Sequence, residues 1–502
     1  MSHLRFALIG FALFILVSIN TPAARAAITA AYYVATNGAD TNPGTVEAPW
    51  RTIQHAANIV PPGSMVYVRG GIYNEAVTIN VSGSEMGGYI VFRNYPGEAP
   101  IVDGTGLIVP TADTGLFLIE NKSYVVIRGF EIRNYKTAVR DRVPVGIFVR
   151  GAGDHIKIRG NRIHHIETNY TGRTGGDALG IAIYGTSAPQ SLNHIVVARN
   201  ELYDLKLGSS ESLVLNGNVE NFRVMRNRIH DNNNIGIDVA GFEGTSPDPK
   251  YDQARNGILR GNEVYNIDSY GNPAYGTDRS ANGIYVDGGR DTVIERNIVH
   301  ATNIGIELAS EHAGGSASFV TVRSNFVFHN TTMGIALGGY DELRGSTQNC
   351  AIVNNTLFQN DTLNEGNGEL LLQYDTRNNT IADNIFYATS QNILLTNPFT
   401  QNSGNVLDDN LYFSPGGTAN STWQWIGITY DSFAAYQSAT GNDLHSRFVN
   451  PRLVSVSLPD LHLQTTSPAI DAGTSLPNLG AYDIDGQPRV QNVVDLGADE
   501  VR

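Results

Sequence analysis

One phrase recurs along the chain and limits what it can fold into. It is an apolar-x-apolar run, then Asn, then an apolar residue two positions on. It reads HIKIRGNRI at Asn161, HIVVARNEL at Asn200, FRVMRNRI at Asn227, GILRGNEV at Asn262, TVIERNIV at Asn297, FVTVRSNFV at Asn325, CAIVNNTL at Asn355 and TIADNIF at Asn384, with a looser copy, DDNLY, at Asn410. The copies lie 26 to 39 residues apart. Self-similarity at such a period marks a solenoid, in which each repeat buries its apolar face by stacking on the next.

The register inside the phrase points to strands. Positions five and three before Asn are mostly apolar, as in Ile156 and Ile158, Ile195 and Val197, or Cys350 and Ile352; so is the position two after it, as in Ile163, Leu202 and Val264. A period of two puts these on one face. Cys350 falls on that inward face and reads as a small buried hydrophobe. A second phrase lies between the Asn marks: GIFVRG (146–151), GIAIYG (180–185), SLVLNG (212–217), GIDVAG (236–241), GIYVDG (283–288), GIELAS (305–310) and GIALGG (334–339). Each coil then holds three short strands. The predicted fold is all-β, a right-handed three-sheet parallel β-helix with the Asn residues stacked at one corner. The 53 Gly residues and many Asn suit its turns, because both tolerate left-handed backbone.

A solenoid exposes sheet edges at both ends and needs caps. WRTIQHAANIV (50–60) predicts the first, a helix burying Ile53, Ala56, Ala57 and Val60, and Pro61-Pro62-Gly63 stops it. From about 411 the Asn rhythm fades. The expected division is a secretory signal at 1–26, an N-terminal strand and capping helix at 27–75, coils at 76–410 and a C-terminal capping or tail module at 411–502. The signal rests on Arg5, the apolar run Phe6 to Ile19 and the small-x-small site Ala24-Arg25-Ala26. It implies a secreted protein with no membrane attachment after cleavage. A net charge of −14 argues against nucleic acid as a partner. A single cysteine excludes an intrachain disulfide framework.

YYVATNGADTNPGTVEAPWRTIQHAANIVPPG (32–63), followed by GGIYNE (70–75), resembles the opening of bacterial β-helix glycosidases and polysaccharide lyases, with their pectate-lyase-like fold. The closing segment, SPAIDAG (467–473) and DIDGQPRVQNVVDLGADE (483–500), resembles a C-terminal module common on secreted bacterial β-helix proteins. The resemblance implies a carbohydrate-active enzyme with a poly- or oligosaccharide as partner. It does not choose the reaction.

Ligand sites on solenoids sit beside the longest insertions. Those are 167–177, 242–256 and 269–282, all flanking strands of the second phrase. On those strands the outward third and fifth positions carry Asp238, Asp287 and Glu307 in neighbouring coils. Strands stack ~4.8 Å apart and residues two apart on a strand are ~6.6 Å apart. Asp287 and Glu307 are then diagonal neighbours, close enough to meet at the separation of a retaining glycosidase pair; Asp238 and Glu307, two coils apart, suit an inverting pair. The expected roles are Asp287 as nucleophile, Glu307 as acid/base and Asp238 as a third acid that separates their protonation states or binds a sugar hydroxyl. The resemblance supports this: β-helix β-xylosidases place Asp and then Glu on successive coils in a similar context. Expected sugar contacts are Tyr285, Tyr184 and Tyr275, with Arg150 and Arg344 for an acidic sugar and Glu311 and His312 at the turn after Glu307.

Two rivals remain open. A polysaccharide lyase removes the proton α to a uronate carboxyl with Lys or Arg as base, often with Ca²⁺. Here Lys206 and Lys250 are the candidate bases, and Asp248 and Asp252 flank Lys250. The hydrolase needs no cofactor. The other rival is a non-catalytic carbohydrate-binding surface protein. No zinc signature or nucleophile elbow is present.

Overall fold

The computed structural model describes residues 30–112 and 114–502; the expected signal at 1–26 lies outside them. Among the described residues the coils form three sheets, one of nineteen and two of thirteen strands, almost entirely parallel, and the tail adds a two-stranded antiparallel pair, Leu453–Ser455 with Asp460–Leu463. In a typical coil Ile156–Arg159 runs in the first sheet, Asn161 turns the corner, Arg162–Thr168 follows in the second sheet, and Leu179–Gly185 runs in the third. The first sheet has more strands because several coils add a two-residue strand, such as Leu192–Asn193, ahead of the main one. The apolar positions of both phrases point into one continuous core, with Ile156, Ile158, Ile163, Ile181 and Ile183 all fully buried.

The asparagines form an unbroken ladder from Asn161 to Asn410. Each Nδ2 donates to the Oδ1 of the next at 2.9–3.1 Å. The same Oδ1 also accepts the backbone N–H of the preceding Asn, as Asn200 does from Asn161. Every side-chain amide of this ladder is thus paired along the axis. Cys350 is inward, and burial pushes its thiol up to about 12.

Both ends are closed. Helix Ile53–Ile59 is N-capped by Thr52, whose Oγ1 accepts from the His55 N–H at 3.1 Å; it lies on strand Val77–Ile79 with Ile53, Ala56, Ala57 and Val60 buried. At the far end a hairpin, Thr422–Trp425 with Ile428–Tyr430, and helix Phe433–Thr440 cover the last coil. Trp423 stacks on Tyr436 at 5.0 Å, and buried Asp443 accepts from the hydroxyls of Tyr412 and Tyr436.

Rungs extend on both sides of the limits 76 and 410: Ala30–Val34 pairs with Ser64–Val68, and Leu411–Phe413 with Arg447–Phe448. The last fifty residues do not add to the end. They double back along the outside of the second sheet, where Leu453, Leu461, Leu463, Leu496 and Ala498 cover Phe326, Phe358, Ile385 and Leu411. Arg489 is buried in this strap and donates to the carbonyls of Asp495, Gly497 and Asp499. The third sheet carries no such cover from the tail.

Candidate active site

The third sheet aligns the outward positions in rows. Val214, Asp238, Tyr285, Glu307 and Ala336 are successive partners in one row, and Asp287 pairs with Ala309 in the next. Asp238, Asp287 and Glu307 therefore stand on one wall, with Tyr285 between Asp238 and Glu307. Asp238 and Glu307, two rungs apart, have backbones ~9.6 Å apart by strand spacing.

These carboxyls are not a solvated face. Asp238, Asp287 and Glu307 are 5%, 5% and 6% exposed. The insertions fold over the wall. Loop 242–256 is built on Asp252, which accepts the backbone N–H groups of Gly244 at 2.6 Å and Ser246 at 2.8 Å. His312 Nε2 lies 2.8 Å from Glu243 Oε1 and ties that loop to the turn after Glu307. Loop 269–282 is anchored by Asn272, which donates to the Gly208 and Asn233 carbonyls, and it sets the Tyr275 hydroxyl 3.2 Å from Asn234 Nδ2.

Each acid has its own support. Glu307 Oε1 accepts from Gln373 Nε2 at 2.8 Å and Oε2 from Asn282 Nδ2 at 2.9 Å. Asp287 Oδ1 accepts the Glu311 backbone N–H at 2.7 Å. Asp238 Oδ1 is buried without a partner. Burial pushes Glu307 up to about 7 against the two amide donors. Asp238 and Asp287 are raised well above the ordinary carboxylate range, first by burial and then by neighbouring negative charge, with Glu211 and Asp287 acting on Asp238, and Glu311, Glu243 and Glu307 on Asp287. A wall of this kind favours neutral carboxyls and divides them between neutral and ionised forms.

Three acids absent from the sequence reading join it. Glu211, at the lip of strand Leu213–Gly217, is pushed up to about 8 by burial and by Asp177, Glu243 and Glu311. Asp177 is half-buried and raised by burial; the Ser210 hydroxyl donates to it at 3.3 Å. Glu243 sits on the roof loop. All three lie in turns, where no strand period marks them. Asn282, which opens strand Asn282–Asp287, and Gln373, which follows strand Leu370–Leu372, hold Glu307 from strand ends, just outside the repeated second phrase.

The other expected residues divide. Tyr285 is buried against Ile235 and Ala309, between the acids. Tyr184 is half-buried within reach of the charges of Glu211, Asp238 and Asp177. Glu311 and His312 are at the rim, with Arg344 Nη1 3.3 Å from the Glu311 carbonyl. Arg150 is not brought to the acids. It shares a row with Tyr184 and Asn216, four rungs before Asp287, and its Nε is 2.8 Å from Glu120. Lys206 pairs with Glu167 at 3.4 Å, and Lys250 Nζ lies over the Tyr251 ring at 5.2 Å. Asp248 caps the turn at the Lys250 N–H, so Asp248 and Asp252 serve the loop's backbone. Among the described residues, the clusters whose ligand atoms lie within 4.8 Å of one another are Asp154/His155/His194, Asp408/Asp409/His445 and His462/Asp485/Asp499, all off this wall.

The fold is that of known carbohydrate-active proteins. A model of the Pel9A-like right-handed β-helix region matches residues 32–175, and a model of the right-handed β-helix region matches 145–357. YwoF of Bacillus subtilis, an uncharacterized protein, is 41% identical over 437 residues, 87% of this chain and 91% of its own. Pectate lyase PEL9 of Emericella nidulans is 28% identical over 206 residues, 38% of this chain and 47% of its own. Among solved structures, pectate lyase Pel9A superposes with a TM-score of 0.51 at 16% identity, covering 95% of this chain and 97% of its own. XylC in complex with xylose superposes with a TM-score of 0.51 at 12% identity, covering 93% and 98%.

Proposed function

The chain belongs to the family of right-handed β-helix proteins that includes YwoF, and from that premise we propose that it is a secreted glycoside hydrolase working through the carboxyl wall. The observation that carries the reading is the pair Asp287 and Glu307 on adjacent rungs, each buried and each fixed by its own donor. Glu307, near neutrality in its titration, gives its proton to the leaving glycosidic oxygen. Asp287 attacks the anomeric carbon; the Glu311 N–H favours its ionised form, and positive charge developing on the sugar favours it further. Water then releases the sugar, with Glu307 as base. Burial and the neighbouring charges of Glu211 and Asp287 favour the neutral form of Asp238 and with it the division of roles. Tyr285 and Tyr184 present apolar surface for the sugar, and Arg344 at the rim suits a carboxylated one.

A second reading, uronate β-elimination, has observations of its own. The Pel9A-like match and the pectate lyase relative favour it. Asp238 Oδ1 and the side-chain oxygens of Asn216, Asn234 and Asn282 are buried without partners, but the register sets Asn216 in the row of Asp287 and Asn282 five residues back along the strand, ~16 Å away, so these oxygens do not form one Ca²⁺ cage. Two facts favour hydrolysis. The Pel9A-like match ends at 175, before the first wall acid, Asp177. The charges acting on Glu307 and Glu311 come from carboxylates, Arg344 and His312, and neither Lys206 nor Lys250 is among them.

Incubation of the purified protein with a panel of neutral and acidic polysaccharides separates the readings. New reducing ends without ultraviolet absorbance support hydrolysis. An unsaturated, ultraviolet-absorbing product transfers the site to the lyase reading. Binding without product ends both.

A further inference from the structure

Six consecutive coils each bring one arginine to the corner between the first and second sheets: Arg128, Arg159, Arg199, Arg226, Arg260 and Arg296. They line a groove of about 450 Å³. This corner is the one that the third sheet does not touch, so the groove lies across the solenoid from the carboxyl wall.

Two backbone positions supply the cations in turn. At the end of the first-sheet strand the row reads Arg128, Arg159, Ala198, Met225, Arg260 and Glu295. The next residue is left-handed in every coil, with φ from 54° to 77°, and reads Gly129, Gly160, Arg199, Arg226, Gly261 and Arg296. Where the strand carries the arginine, the turn is glycine. Where the strand has Ala198, Met225 or Glu295, the arginine sits at the turn, in a conformation that costs an ordinary residue roughly 1 kcal/mol. The outcome is one cation per rung, in single file over ~24 Å at strand spacing.

Little neutralises this file along most of its length. Among the described residues Arg128, Arg159, Arg199 and Arg226 form no salt bridge, and no carboxylate or aromatic ring lines the groove beside these four. Arg260 pairs with Glu295, and Arg296 leans on Tyr482 of the tail, so the file is held at one end and open along the rest. The chain as a whole is at −14.

We propose that this groove is a second, non-catalytic site that binds a linear polysaccharide bearing carboxylate groups, laid along the solenoid axis. The proposal stands apart from the hydrolytic reading. Guanidinium groups recognise carboxylates through paired N–H donors. A rung is close to the length of one pyranose unit, so the carboxylates that a 1,4-linked uronate chain turns to one side, every second or third unit, fall in register with every second or third arginine. Duplex nucleic acid would meet the surrounding negative charge with both strands. Single strands would find no ring to stack on.

The test uses full-length Glu307→Gln, in which turnover of a saccharide is slowed about 10²–10⁴-fold, and measures its affinity for polygalacturonate and alginate at two salt concentrations. In this background Arg159→Gln, Arg199→Asn and Arg226→Asn are combined. Asn tolerates left-handed backbone, so the thermal midpoint holds while affinity falls at least about tenfold and its salt dependence weakens. A triple variant that binds as tightly as its parent overturns the proposal. So does a parent that binds neither polymer, or one that binds duplex DNA as tightly as either.

Discussion

The side-chain amide of Gln373 reaches back across an intervening rung to donate to Glu307 Oε1 at 2.8 Å. A donor to the ionised form lowers a carboxyl's pKa, so Gln373 and Asn282 together hold Glu307 near 7 against burial. The proton donor fails as pH rises through that value. Gln373→Leu removes one donor and raises the pKa, so the falling limb of the pH–rate profile moves to higher pH by roughly 0.5–1 unit, the worth of one hydrogen bond. A limb that stays in place separates Gln373 from the acid.

Glu307 and Glu211 titrate at about 7 and about 8 in the folded protein, above the 4.5 of a free glutamate. The folded state thus keeps protons that the unfolded chain releases. Their contribution to stability is full below about pH 4.5 and is lost as pH rises through 7 to 8. The wild type melts at lower temperature at pH 8.5 than at pH 5.5 to the extent that these groups govern the difference. Glu211→Gln stays neutral and recovers at least about 1 kcal/mol at the higher pH, with no gain at pH 4. Thermal melts of both proteins across this range check the sign.

Asn262 stands in the middle of the ladder. Its Oδ1 accepts the backbone and side-chain N–H groups of Asn227, and its Nδ2 donates to Asn297 Oδ1 and the Val224 carbonyl. Asn262→Ala leaves buried groups on both neighbouring rungs unpaired and costs ~2–4 kcal/mol, read from denaturant or thermal unfolding.

The ladder was also the most legible part of the chain. Asn161 through Asn410 recur because one corner must satisfy the same backbone groups in every coil, and that need leaves a mark at a fixed offset from two apolar positions. The alternation of the second phrase likewise sets Asp238, Tyr285 and Glu307 in one row. What alternation does not carry is what lies above the row. The roof over Asp287 depends on loops such as 242–256, whose Asp252 reads from sequence as a flank of Lys250 and in the fold organises the Gly244 and Ser246 amides. Glu211, Asn282 and Gln373 sit where strands begin or end, outside any period. The tail's return along the second sheet rests on outward Phe326, Phe358 and Ile385, which are ordinary strand residues until a partner covers them.

That return gives a separate prediction. Arg489 is fully buried, and its guanidinium donates to three carbonyls of the strap. Arg489→Leu leaves those acceptors unpaired and costs ~2–4 kcal/mol. The strap covers the second sheet and not the third, so turnover below the melting temperature is unchanged.

The most direct measurement is the turnover of Glu307→Gln and Asp287→Asn on two substrates of the same sugar: the natural saccharide and an aryl glycoside whose phenolate leaves without protonation. The account predicts that Glu307→Gln loses about 10²–10⁴-fold on the saccharide and far less on the aryl glycoside, while Asp287→Asn is inactive on both. Full activity of either variant on the saccharide, or rescue of Asp287→Asn in place of Glu307→Gln, contradicts it.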